Sequence, residues 1–91
     1  MEFRPSEVDN FLEVFAERRE RIRHFPGCTH LRLWRDLDRP HIFFTYSHWE
    51  SADALEAYRT SELFRATWAL TKPLFAERAR AWSVEEVLPT P

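Results

Sequence analysis

A chain of 91 residues with a formal net charge of −2 has the length of one domain and no net positive field to gather nucleic acid or an anionic membrane. Its single glycine, Gly27, excludes a phosphate-cradling glycine-rich loop or a dinucleotide turn; its single cysteine, Cys28, excludes an internal disulfide and fits a reducing compartment. No apolar run is long enough to cross a bilayer and the start lacks a signal-peptide pattern, so the expected location is the cytoplasm and no membrane partner is expected.

Eight Phe, four Trp and two Tyr are more ring than a domain of this size readily hides, because such a chain buries only about 60–65% of its unfolded surface. Some of these rings are therefore expected on a subunit interface or around a pocket.

In chain order, residues 1–4 read as the end of a strand, stopped by Pro5, and Ser6 is placed to cap a helix with Asp9 three residues on. Val8, Phe11, Leu12, Phe15, Ile22 and Phe25 then recur at helical spacing up to His24. Acidic residues sit early in that helix and Arg18, Arg19, Arg21 and Arg23 late, which suits the helix dipole. Glutamates interspersed among those arginines read as a solvated helix end rather than an RNA-binding patch. Phe25-Pro26-Gly27-Cys28 breaks the helix.

Residues 29–35 alternate, with Leu31 and Leu33 on one side and His30, Arg32 and Trp34 on the other. Asp36-Leu37-Asp38-Arg39-Pro40 supplies a loop, and residues 41–49 return as the second strand of a hairpin. There Ile42, Phe44, Tyr46 and His48 share one side, and Phe43, Thr45, Ser47 and Trp49 the other. Both sides are apolar enough that both call for cover. Trp34 is expected on a dimer interface, where its ring would escape water.

Ser51 caps a second helical region over 51–80, expected in two pieces. Residues 52–58 form the first, Thr60-Ser61 supplies a fresh cap, and 62–77 form the second, with a kink at Pro73. Residues 81–88 alternate, with Trp82, Val84 and Leu88 on one side, and predict a last strand. The order strand, helix, strand, strand, helix, strand is the split βαβ, ferredoxin-like pattern in the α+β class. It gives a four-stranded antiparallel sheet with helices on one face, and the whole chain, 1–91, is a single domain.

Phe25-Pro26-Gly27-Cys28, Leu31-x-Leu33-x-Arg35-Asp36, Phe43-Phe44-Thr45-Tyr46-Ser47-x-Trp49-Glu50-Ser51, Ala54-Leu55-x-x-Tyr58 and Ser61-x-x-Phe64 together resemble the antibiotic biosynthesis monooxygenase family. The resemblance implies a homodimeric α/β barrel with a ligand cleft between helices and sheet. It also implies either an oxygenase of quinols and polyketide-like aromatics that uses no metal or flavin, or a member with no known activity. It further implies a first strand longer than the four residues ahead of Pro5, as a start internal to a longer protein would leave, or else a sheet completed by other means. The family's haem-degrading branch has a helical histidine where Trp68 stands and a tryptophan where Tyr58 stands. Haem degradation is disfavoured, because an indole cannot ligate iron.

An oxygenase of this kind needs a base or hydrogen-bond donor in an apolar cleft, to make an electron-rich anion that can reduce dioxygen. His30, Tyr46 and His48 are the candidate catalytic residues, and Trp49, Tyr58, Phe64 and Trp68 the candidate substrate-binding wall. For every one of them packing in a core or interface is the competing role. His24, His30, His41 and His48 lack any metal-ligand spacing, so no metal and no cofactor is expected. Two functions follow from this reading: monooxygenation of a small quinol or hydroxylated aromatic, and, as the alternative, a non-catalytic dimeric barrel that binds a hydrophobic small molecule.

Overall fold

The computed structural model describes residues 1–90. The chain runs β1 (Glu2–Phe3), a 3-10 turn at Pro5–Glu7, α1 (Val8–Arg23), β2 (Cys28–Arg35), β3 (Phe43–Trp49), α2 (Ala52–Arg59), α3 (Glu62–Thr71), a 3-10 turn at Lys72–Leu74 and β4 (Phe75–Glu77). The strands form two antiparallel pairs, β1 with β4 and β2 with β3. A bridge between Glu2 and Ile42 joins the pairs, and hydrogen bonds from Phe3 N to His41 O (2.9 Å) and from Phe43 N to Met1 O (2.8 Å) reinforce it. The spatial order is thus β4-β1-β3-β2, the ferredoxin-like order expected from the sequence.

Four phenylalanines hold the helices to the sheet. Phe3, fully buried, stacks on Phe11 of α1 at 4.1 Å between ring centroids, and lies 5.9 Å from Phe43 and 5.1 Å from Phe75. Burying each such ring contributes about 1.5–3 kcal/mol, so the Phe3 side chain adds substantially to the backbone bonds that hold two-residue β1 in place. Leu33, Val8, Leu12, Phe15 and Leu74 pack around this cluster. The Leu33 and Phe43 side of the hairpin therefore faces the helices.

Two local expectations are corrected at the ends of the chain. Ser6 does not cap α1: Pro5 opens a 3-10 turn, Glu7 stands at the cap position without a side-chain cap bond, and its carboxylate accepts from Asn10 Nδ2 at 2.8 Å instead. Residues 81–88 join no sheet, and the fourth strand is Phe75–Glu77, three residues inside what reads as helix. Pro73 accounts for the early ending. Lacking an N–H, it stops α3 at Thr71 and releases the chain into extended backbone at Phe75.

The remaining joints follow the sequence. Ser51 Oγ accepts from Ala54 N at 3.0 Å and Ser61 Oγ from Phe64 N at 3.1 Å, starting α2 and α3. Gly27 has φ +88°, and a Cβ there would fall on the Ala54 side chain. Its carbonyl accepts from Glu50 N at 2.8 Å, so the turn after α1 clamps the end of β3 against the start of α2.

Candidate functional site

Side chains alternate along β3, which sends Phe43, Thr45, Ser47 and Trp49 toward the helices and Phe44, Tyr46 and His48 away from them. On the helix side the four rings of the expected substrate wall form one continuous file. Trp49 stacks on Tyr58 at 5.0 Å and 25°, Tyr58 meets Phe64 edge-on at 5.2 Å, and Phe64 lies parallel to Trp68 at 5.9 Å and 9°. Phe25 closes the first end against Trp49 and Tyr58, and Phe75 closes the last against Trp68. The caps at Ser51 and Ser61 set the phase of the two helices, so Tyr58, Phe64 and Trp68 project along one line.

Polar groups in this file are few. Trp49 Nε1 donates to Ser47 Oγ at 3.0 Å. Burial, and then the neighbouring Cys28, push the Tyr58 hydroxyl up to about 12, so it stays a neutral phenol and a hydrogen-bond donor. At its Trp68 end the file opens into a surface groove of about 410 Å³ lined by Trp68, Lys72, Phe75, Ala76, Glu77, Arg78 and Ala79. That size suits a small ligand. Lys72 and Arg78 have no ion-pair partner among the described residues, so two cations share the groove with one carboxylate, Glu77, and the half-buried Trp68 indole.

The three expected catalytic residues lie elsewhere. His30, Tyr46 and His48 sit together on the side of the hairpin away from the helices, with His30 stacked on His48 at 4.5 Å and His48 Nε2 2.7 Å from Tyr46 Oη. Trp34 stacks on Tyr46 at 4.8 Å and is 51% exposed, and Phe44 beside it is 49% exposed. The structure thus brings the catalytic candidates to one another and the wall residues to one another, on opposite faces of the sheet. Loss of surrounding water, followed by the charges of Arg32, His48 and Arg23, holds the His30 imidazole below its ordinary range.

A sequence model of the antibiotic biosynthesis monooxygenase family matches residues 1–70. The chain belongs to that family. Solved structures agree in fold. An antibiotic biosynthesis monooxygenase is 22% identical at a TM-score of 0.89, covering 96% of this chain and 92% of its own. A Bordetella bronchiseptica protein that provisionally bears the same name is 24% identical at 0.85, covering 97% and 91%. A Mycobacterium tuberculosis protein is 17% identical at 0.80, covering 96% and 91%. No curated protein sequence matches significantly.

In this family member the residues that open the site, Lys72, Phe75 and Arg78, lie beyond the matched segment. Sequence reading passed over them because Phe75 continues the helical stripe of Phe64 and Trp68. Pro73 was the available signal: it cannot donate to the turn before it, so a helix begun at Glu62 ends ahead of it and Phe75 falls outside the stripe. Among the described residues no group of three or more His, Cys, Asp or Glu could hold a metal ion, and no helix is long and apolar enough to cross a membrane.

Proposed function

We propose that the protein is a cofactor-independent monooxygenase that takes a small quinol or hydroxylated aromatic at the Trp68 end of the ring file. The observation that carries this reading is the juxtaposition of a half-buried indole with two cations, Lys72 and Arg78, that have no ion-pair partner among the described residues and outnumber the one carboxylate, Glu77, in the same groove. The substrate ring stacks on Trp68, and its ionising oxygen lies toward Lys72 and Arg78. A nearby cation favours the phenolate over the phenol, and the phenolate is the form that passes an electron to dioxygen. One oxygen atom enters the ring carbon and the other leaves as water with the two substrate hydrogens. The apolar file behind Trp68 shields one side of the radical pair from water. Cover for Trp34 and the rings beside it comes from a homodimer in which two copies bring these sheet faces together, and its setting is the cytoplasm.

A second reading, a barrel that binds such a ligand without turning it over, is favoured by the place of His30, Tyr46 and His48. On the far side of the sheet they leave no imidazole in the groove to accept a proton. One experiment separates the two: oxygen uptake is followed for a panel of quinols with chelator and without added flavin, while tryptophan fluorescence reports binding. Uptake that survives the chelator supports the oxygenase. Saturable quenching without uptake supports the binding barrel, and no quenching by any member of the panel removes both.

A further inference from the structure

Glu77 shares the Trp68 groove with Lys72 and Arg78. It reaches that place through an irregularity in β4. Phe3 pairs with Phe75 and Glu2 with Glu77, so Ala76 is an extra residue on the strand. A bulge of this kind breaks the alternation and re-aims the side chains around it. Phe75, Ala76 and Glu77 accordingly line the same groove in succession, with the Phe75 ring meeting Trp68 edge-on at 5.4 Å. Glu77 is exposed and has no ion-pair partner among the described residues, which leaves its carboxylate open to a ligand.

We propose that the Glu77 carboxylate is the base that takes the hydroxyl proton of a substrate bound in this groove. The inference rests on the oxygenase reading above and supplies the proton acceptor that His30, Tyr46 and His48 cannot provide from across the sheet. Within the groove no other side chain can act. The Trp, Phe and Ala walls have no basic atom, and the Lys72 and Arg78 cations already carry their protons. The charges also suit the step. As Glu77 becomes neutral the substrate becomes an anion beside Lys72 and Arg78, so the net charge of the groove does not change and the cations hold the anion as it forms.

The substrate O–H bond breaks, its proton goes to a Glu77 carboxylate oxygen, and its electron pair stays on the ring oxygen. Dioxygen is the oxidant: it takes electrons from this phenolate and bonds to a ring carbon as a peroxide, whose terminal oxygen receives the proton back from Glu77. Glu77 then removes the hydrogen from that carbon. The pair released from the C–H bond makes the new carbonyl as the O–O bond breaks, and the departing hydroxide collects the proton as water.

The test is steady-state oxygen uptake by the parent and by Glu77→Gln over hydroquinones made stepwise more acidic by ring fluorination, each on both sides of its own ionisation and corrected for the uncatalysed rate. Glu77 is exposed and its strand partner is Glu2, so the substitution removes a like-charge pair and leaves the fold unchanged by circular dichroism. A positioned base contributes roughly 10²–10⁴, so the expected loss in kcat is about 100-fold where the hydroxyl is un-ionised and under about threefold where the substrate arrives as its anion. KM stays within about threefold. Glu77→Ala regains part of its rate on addition of acetate, a small base that fits the space vacated. A loss equal for the two forms of the substrate overturns the proposal. So does a rate that Glu77→Gln leaves unchanged or raises, which makes the carboxylate a counterion of Lys72 and Arg78 and leaves the oxygenase standing. No uptake by the parent with any member of the series removes base and oxygenase together.

Discussion

His30 and His48 face each other across the β2–β3 register with ring centroids 4.5 Å apart and planes 26° from parallel. Their neighbours are Tyr46 on β3, Arg32 on β2 and Arg23 at the end of α1, and none of these is an acid. Because the folded state holds His30 below its ordinary value of about 6.5, the unfolded chain binds that proton more readily. The corresponding stability is complete above pH 6.5 and is lost progressively as pH falls from there through the lower folded-state value. Thermal melts between pH 7 and pH 5 are expected to fall, and His30→Gln to flatten the trend. A melting temperature equally pH-dependent in the variant would place the titrating group elsewhere.

The groove at Trp68 predicts a division of labour between ring and charge. Replacing both Lys72 and Arg78 by neutral residues, Lys72→Met with Arg78→Gln, is expected to raise KM for a hydroxylated aromatic about tenfold, the equivalent of roughly 1.4 kcal/mol of lost charge stabilisation. The pH for half-maximal rate moves upward, because the substrate must then ionise unaided. Binding of the corresponding methyl ether, which cannot ionise, stays within about twofold. Equal losses for the phenol and its ether would show that the cations only shape the groove.

Gly27 is the position where this chain has the fewest alternatives. Its positive φ costs any other residue about 1–2 kcal/mol, and the close approach of Ala54 adds a steric term. Gly27→Ala is expected to destabilise the fold by at least about 2 kcal/mol in urea titration, with α2 and the Trp49–Tyr58 stack displaced. A variant with the midpoint of the parent would mean that the turn relaxes around the methyl group.

Tyr58 gives an alkaline signature. Its folded-state value near 12 lies above the ordinary 10.0, so deprotonation favours the unfolded chain. The stability it contributes is complete below pH 10 and is lost as pH rises from there through about 12. Tyr58→Phe should remove that part of the alkaline unfolding and leave neutral-pH stability little changed. Phenolate absorbance from Tyr58 at pH 10 would contradict the burial described here.

Much of this architecture is legible in the residues. The helical stripe from Phe11 to Ile22, the caps at Ser51 and Ser61, and the parity of 43–49 are local chemistry, and each appears where its chemistry requires. What could not be read is which face of the hairpin the helices take. Phe44 and Tyr46 on one side weigh as much as Phe43 and Trp49 on the other, and only Phe3, reaching in from β1, decides between them. Three-residue β4 was hidden for a similar reason, since three residues cannot distinguish period two from period 3.6. Residues 81–88 carry a strand's pattern without a neighbour inside the protomer, and alternation says nothing about whose edge completes it.

The joint between α2 and α3 is pinned by hydroxyls. Ser61 Oγ donates to Tyr58 O at 2.6 Å while accepting from Phe64 N, and Thr60 Oγ1 donates to Glu56 O at 3.0 Å. Tyr58 and Phe64 flank that joint, so their edge-on contact cannot widen without breaking several bonds at once. Beyond Thr71 the chain turns through Pro73 into a three-residue strand, which β1 holds: Arg4 N donates to Leu74 O at 3.1 Å and Phe75 packs on the buried Phe3. The file of rings is therefore braced at both ends, by hydroxyl bonds at the inner one and by a sheet edge at its mouth. A ligand at that mouth would meet a preformed wall, fixed by contacts it does not itself make.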